Sequence, residues 1–250
     1  MEYAFLHNIF LHIHKQFYLR QFQQFLLENN IAGPDCSLLF SSKIRRTYPI
    51  SGYVHDDELE KILAAVDTET STGKRDYAII MLGAILGIRA CDIIHLKFSD
   101  IDWQKKELRF MQAKTINPIV LPLTPEVESA LVEYIRNGRP HADHPEIFLR
   151  VAAPVGPIRS APAIQVMFTK YASKANIDRR PYDGKNFHGL RRRLGRNMIL
   201  NDVPLTTIAQ VLGHQSFDAT KQYLSLDSQN LRECALDFRG ISVERRGLNA

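Results

Sequence analysis

Between Lys185 and Arg196 the chain places five basic side chains and one histidine, His188, with no carboxylate among them. Like charges at this density repel one another unless an anion lies opposite, and phosphate is the usual anion. His188 and Arg191 stand three apart, so on a helix they share a face, while Arg192, Arg193 and Arg196 point to other faces. That distribution suits a helix lying against a polyanion better than one buried ion pair. The wider stretch from Asn186 to Asp227 adds His214 and Tyr223 at intervals that helix geometry brings together.

The rest of the 250-residue chain bounds the class. Its length suits one or two domains. With 45% hydrophobic and 24% charged residues, it has the balance of a globular chain rather than a disordered tail. A net charge of +5 favours anionic partners only slightly, so the local arginine cluster says more than the total. Cys36, Cys91 and Cys234 are odd in number and far apart, which argues against a disulfide framework or zinc ribbon and fits a cytoplasmic protein. No apolar run is long enough to span a membrane, and the N-terminus makes a poor signal peptide. His12, His14, His141 and His144 lack cysteine or carboxylate at zinc-site spacing and read as surface histidines.

In chain order, apolar spacings of three and four from Leu6 to Leu26 predict one or two amphipathic helices ending near Asn29 and Asn30. The segment that follows, with the basic cluster Lys43, Arg45 and Arg46, reads as turn and linker, which puts a domain boundary near residue 50. A helix with acids in its first turn opens after His55. A second, from about Lys74 to Leu86, is apolar nearly all round. Gly87 interrupts it, and a third helix carries Asp92, Ile93 and Leu96. Glu107 to Ala113 and Pro118 to Leu123 alternate as strands, predicting a hairpin that turns near Asn117-Pro118 with Lys114 at its tip. Thr124-Pro125 opens a helix to about Arg136. Ile147 to Val151 reads as a further short strand, and Ser160 caps a helix to about Lys174. Two helices then carry the basic stretch, the second from near Val203-Pro204, and a last one spans about 228–236. The fold class expected is mainly α with a small antiparallel β-sheet.

His188-Gly189-Leu190-Arg191 resembles the H-x-x-R box of the tyrosine recombinases, the phage integrase family. Leu212-Gly213-His214 is similar to their L-G-H box, and Tyr223 stands nine residues after His214, where that family places its nucleophile. Leu86-Gly87-Ile88-Arg89 through Leu96 is similar to their first arginine box, with Asp92 where glutamate is usual and Leu86 where threonine is. Lys114 matches the position of the β-hairpin lysine. The match covers about residues 50–238. It implies a tyrosine recombinase-like catalytic domain over 51–250, preceded by a short helical segment over 1–50 that is part of a core-binding domain. Arg192 stands where a second histidine is usual and Gly195 where alanine is usual.

The chemistry explains why these residue types belong together. A phosphodiester repels nucleophiles and has a very basic leaving oxygen, so an enzyme without metal must supply positive charge, a nucleophile and a proton. Arginine binds two oxygens with a planar fork and keeps its charge. A phenol with a pKa near 10 needs neighbouring guanidinium groups to attack at neutral pH. The resemblance implies that Arg89 and Arg191 hold the phosphate, His188 and His214 donate hydrogen bonds, Lys114 protonates the departing 5′ oxygen, Tyr223 attacks and Asp92 supports. The 3′-phosphotyrosyl product is reversed by a 5′-hydroxyl from another strand. The resemblance implies no cofactor, metal or ATP; it implies double-stranded DNA as the partner and a homo-tetramer of the chain assembled on it. The resemblance also implies that the C-terminal helix, with Leu231, Leu236 and Phe238, docks on a neighbouring subunit in that assembly, although docking within the same chain would bury the same residues. Lys43, Arg45, Arg46, Lys185, Arg192, Arg193 and Arg196 are the candidate DNA contacts.

Taken singly, each residue also has a structural reading: Tyr223 as a helix-end aromatic, Lys114 as a solvated charge, His214 as the residue after a glycine stop, Arg89 as a partner of Asp92. Two rival functions stay open on the residues alone: a truncated or decayed integrase that binds DNA without strand exchange, and a type IB topoisomerase-like enzyme that nicks and reseals. The roughly 50 residues before the boundary are about half of a core-binding module, so weak DNA binding in isolation is expected.

Overall fold

The computed structural model describes residues 18, 19, 21–29, 31, 52–114, 116–180 and 183–213. The chain divides into two units, residues 1–49 and 50–250. In the first, a helix α1 (residues 21–28) ends at Asn29, whose side-chain amide donates to the Phe25 carbonyl at 2.8 Å. The remainder of the helical stretch predicted from Leu6 onward, the turn and linker up to about residue 50, and the last helix predicted at about 228–236 lie outside the described residues.

The second unit is built on α3 (Ser71–Ile85), buried nearly all round as its continuous apolar run requires. It starts three residues earlier than the sequence suggests, because the Thr70 hydroxyl caps it by accepting from the Gly73 amide at 3.0 Å. Helices α5 (Pro125–Asn137) and α7 (Phe187–Leu200) pack along α3, and α6 (Ala161–Lys174) lies against α2 (Asp56–Ala64). Phe168 and Phe187 meet edge to face, centroids 5.9 Å apart, joining α6 to α7 inside the core. α8 (Leu205–Leu212) packs on α7 through Ile199, Ile208 and Leu212.

The sheet is antiparallel in the order β1 (Ile101–Asp102), β2 (Glu107–Met111), β3 (Pro118–Pro122). In β3 the pattern alternates, with Ile119 and Leu121 buried opposite Phe110 and Leu108. The turn is wider than a tight Asn117-Pro118 corner: Pro118 is already paired with Met111, and the chain turns between these two. Strand β1, two residues long, is too short to show a period in the sequence. The strand expected over 147–151 shrinks to β4 (Leu149–Arg150), paired with β5 (Gly156–Pro157) in a separate two-stranded sheet, because the Ile147 amide is already used by the Leu96 carbonyl at 2.8 Å. The third helix is only α4 (Ala90–Ile93); beyond it the chain turns and Lys97 pairs with Glu146, so Leu96 is outside the helix. The architecture is mainly α with small antiparallel sheets. Among the described residues no helix is long and apolar enough to cross a membrane.

Candidate active site

Helix α7 begins at Asn186, whose side-chain oxygen accepts from the Gly189 amide at 2.9 Å. Leu190 fixes its apolar face in the core and carries Arg191 inward with it, leaving that arginine only 3% exposed. A buried guanidinium is tolerable only when its donors are paired. One Arg191 nitrogen donates to the Gly87 carbonyl at 2.7 Å and the other to the Leu212 carbonyl. The second acceptor is at the C-terminus of α8, where unpaired helix carbonyls concentrate negative charge.

Gly87 occupies the left-handed region at φ +65, and a Cβ there would press on Leu194 and Leu212. This turn ends α3 and delivers Arg89 as the residue preceding α4. Arg89 reaches the Gly213 carbonyl at 3.4 Å. Its other terminal nitrogen is 4.0 Å from the Asp92 carboxylate, too far for a hydrogen bond, and among the described residues it has no hydrogen-bond partner. Arg89 and Arg191, from distant parts of the sequence, therefore converge on the adjacent carbonyls of Leu212 and Gly213. The next residue is His214.

Asp92 links this pair to the hairpin. Its carboxylate is buried and accepts from the Ala113 amide at 2.8 Å, so an aspartate's shorter reach suffices. Ala113 immediately precedes Lys114, which is exposed at the hairpin loop. Beside it the Cys91 thiol is pushed above its ordinary range, chiefly by burial and next by the Asp92 carboxylate, with Arg89 acting the other way. His188 is exposed one turn before Arg191.

The other basic residues find acceptors inside the protein that the sequence did not reveal. Arg192 donates to the carbonyls of Gly52 at 2.8 Å and Gly184 at 2.9 Å. Arg193 pairs with Asp56, Lys185 with Glu58 at 2.6 Å, and Arg196 stands over the Tyr53 ring at 5.0 Å. The anion opposite this stretch is thus partly residues 52–58, which lie far away in sequence. Lys43, Arg45, Arg46, His214 and Tyr223 lie outside the described residues. Sequence reasoning missed Gly87, Gln112, Leu212 and Gly213 as seats for the arginines and hairpin; the glycines were legible as turn residues, but the use of main-chain carbonyls carries no sequence signal. Among the described residues no cluster of histidine, cysteine and carboxylates has the composition to hold a metal.

The sequence model of the phage integrase family matches residues 53–230. The Sinorhizobium fredii protein y4gC, named as an integrase/recombinase, is 32% identical over 188 residues, covering 75% of this chain and 95% of that protein. A second protein of the same organism and description, y4rF, is 31% identical over 73% of this chain but only 43% of its own length. The chain thus spans nearly all of one relative and under half of another. Among solved structures, a lambda integrase dimer bound to a COC′ core site superposes with a TM-score of 0.65 at 17% identity, covering 98% of this chain and 66% of that one. That likeness shows the fold.

Proposed function

The chain belongs to the phage integrase family, and from that premise we propose that it cuts and rejoins double-stranded DNA at specific sites as a tyrosine-type recombinase of a mobile element. The observation that carries the proposal is the convergence of Arg89 and Arg191 on the Leu212–Gly213 carbonyls, one residue before His214. Two fixed positive charges at one point suit the non-bridging oxygens of a single phosphate, and each such donor contributes about 2.7–4 kcal/mol to its transition state. The Arg89 terminal nitrogen that has no hydrogen-bond partner among the described residues, its nearest carboxylate oxygen being that of Asp92 at 4.0 Å, supports a phosphate oxygen as its acceptor.

In this reading the Tyr223 oxygen attacks phosphorus, a 3′-phosphotyrosyl bond forms, and the bond to the 5′ oxygen breaks. Lys114 gives that oxygen its proton. His188 and His214 donate hydrogen bonds to the phosphate, and the 5′-hydroxyl of another strand reverses the steps. The carboxylate of Asp92 positions Lys114 through the Ala113 amide. No step needs a metal or cofactor.

Lys185, Arg193 and Arg196, together with Lys43, Arg45 and Arg46, serve as phosphate contacts; Arg193 is the readiest of the described ones, because its partner Asp56 is exposed and such an ion pair exchanges easily for a phosphate. Arg192 has a structural part: it donates to the carbonyls of Gly52 and Gly184 and so fixes the start of α7. Residues 1–50 act as part of a core-binding domain and 51–250 as the catalytic domain. Copies of the chain assemble as a tetramer on DNA through the C-terminal tail, acting in the cytoplasm.

The test is incubation with a randomised library of nicked duplexes in the presence of a chelator. A denaturant-stable protein–DNA adduct on a recoverable sequence is expected. DNA fragments released without an adduct, or cleavage that the chelator abolishes, would contradict the proposal.

A further inference from the structure

Gln112 is the residue where strand β2 becomes the hairpin loop, two positions before Lys114. Both of its main-chain groups are committed to closing that loop. Its amide donates to the Asn117 carbonyl at 3.0 Å, and its carbonyl accepts from the Ile116 amide at 2.9 Å. The backbone that carries the side chain is therefore fixed at both ends. The side chain itself is only 2% exposed, unusual for a glutamine at a hairpin loop.

Gly213 packs directly against it. A Cβ at Gly213 would collide with the nitrogen, oxygen and carbon of the Gln112 amide, so the amide lies directly on the bare Cα. Gly213 ends α8 in the left-handed conformation at φ +57. Two separate requirements thus fall on glycine here: the turn and the space for Gln112. The same short segment receives Arg89 at the Gly213 carbonyl and Arg191 at the Leu212 carbonyl. Three elements meet at one turn: the arginine after α3, the arginine of α7 and the base of the lysine hairpin.

We propose that Gln112 is a positioning residue for Lys114, setting the hairpin tip against the two-arginine centre by packing on Gly213. This rests on the functional reading above. Asp92 holds the hairpin through one main-chain bond on its α4 side. Gln112 supplies the second support, on the α8 side. With two supports on different elements the loop cannot swing about the Ala113 bond, and the ammonium group of Lys114 stays within a restricted volume.

The test compares wild type, Gln112→Ala and Lys114→Ala on the nicked duplex recovered by trapping, in two chemical forms. One has the ordinary 5′ oxygen at the scissile bond. The other has sulfur there, and a thiolate departs without a proton, so the general acid becomes dispensable. Gln112→Ala is expected to slow adduct formation on the oxygen substrate about 10²-fold, the lower end of what general acid catalysis contributes. On the sulfur substrate it should return to near the wild-type rate, as Lys114→Ala should. Hydrogen exchange at residues 112–117 should rise in Gln112→Ala while α3 keeps its protection.

A Gln112→Ala defect equally large on both substrates would overturn the proposal, since the fault would then lie with the arginines or the fold. Unchanged rates, or unchanged exchange in the hairpin, would overturn it as well. If Lys114→Ala is not rescued by sulfur, or wild type forms no adduct, the functional reading fails instead. The exchange measurement then still decides whether Gln112 fixes the hairpin.

Discussion

Arg191 donates to the carbonyl of Gly87 at 2.7 Å across 104 positions of chain. The bond joins the helix of the basic stretch to the turn that delivers Arg89, so the two guanidinium groups are positioned by one another's surroundings. A lysine at this position keeps the charge but has one nitrogen where the guanidinium has a planar fork. Arg191→Lys should leave either the Gly87 or the Leu212 carbonyl buried without a donor, at about 1–3 kcal/mol in stability. Adduct formation should fall by about 10²–10³-fold. Urea unfolding and covalent trapping read the two effects; wild-type stability would show that the carbonyl seats do not matter.

Asp92 gives a sharper contrast because the family usually carries glutamate there. Its side chain is fully enclosed, and its carboxylate already reaches the Ala113 amide. Asp92→Glu inserts a methylene into filled space and should cost about 1–3 kcal/mol. Asp92→Ala should cost about 1.5–3 kcal/mol through the lost bond to a charged group, and it should raise hydrogen exchange at Ala113. If Asp92→Glu melts with the wild type, the site has room that the packing does not suggest.

Away from the centre, the Tyr171 hydroxyl donates to Asp76 at 2.9 Å, and the other oxygen of Asp76 is held by Arg75. Tyr171→Phe should lose about 1.5–3 kcal/mol in urea unfolding. The phenol is pushed well above its ordinary value, by burial first and then by the Asp76 carboxylate. The folded chain therefore keeps a proton that the unfolded chain releases above about pH 10. Stability from this group is fully present below that pH and is lost as pH rises through the higher folded value. An alkaline unfolding series should show a shallower loss for Tyr171→Phe than for wild type.

Cys91 offers a chemical probe beside Arg89. Its raised pKa leaves less thiolate at mild alkaline pH than an unfolded chain has. Iodoacetamide should label the Cys91 peptide more slowly in the native than in the denatured protein at about pH 8, near the ordinary thiol range, as mass spectrometry reads it. Equal labelling would mean that the thiol, and the Arg89–Asp92 pair beside it, is open to solvent.

Much of this was legible before any coordinates. The all-round apolar run of α3, the alternation in β3 and the Thr124-Pro125 helix start are local signals, and each appears where its residues put it. The spacing of Arg89, His188 and Arg191 was legible too. What escaped is what local sequence does not encode: that Arg192 is seated on the carbonyls of Gly52 and Gly184, and that Asp56 and Glu58 answer Arg193 and Lys185. Main-chain acceptors are the same at every residue, so only the fold reveals which ones a guanidinium reaches. Gln112 falls inside the alternating stretch Glu107 to Ala113 with nothing to mark it out; the backbone it packs on belongs to a glycine about a hundred residues on, with no side chain to signal the contact.

The nucleophile is the point on which the whole chemistry turns. Trapping on the recovered nicked duplex, followed by peptide mapping of the adduct, compares wild type with Tyr223→Phe. The expected result is a phosphotyrosyl peptide containing Tyr223 in the wild type. Tyr223→Phe should form no adduct while retaining nearly unchanged DNA binding in a gel shift. An adduct of equal yield from Tyr223→Phe, or one that maps to another residue, would contradict the recombinase reading.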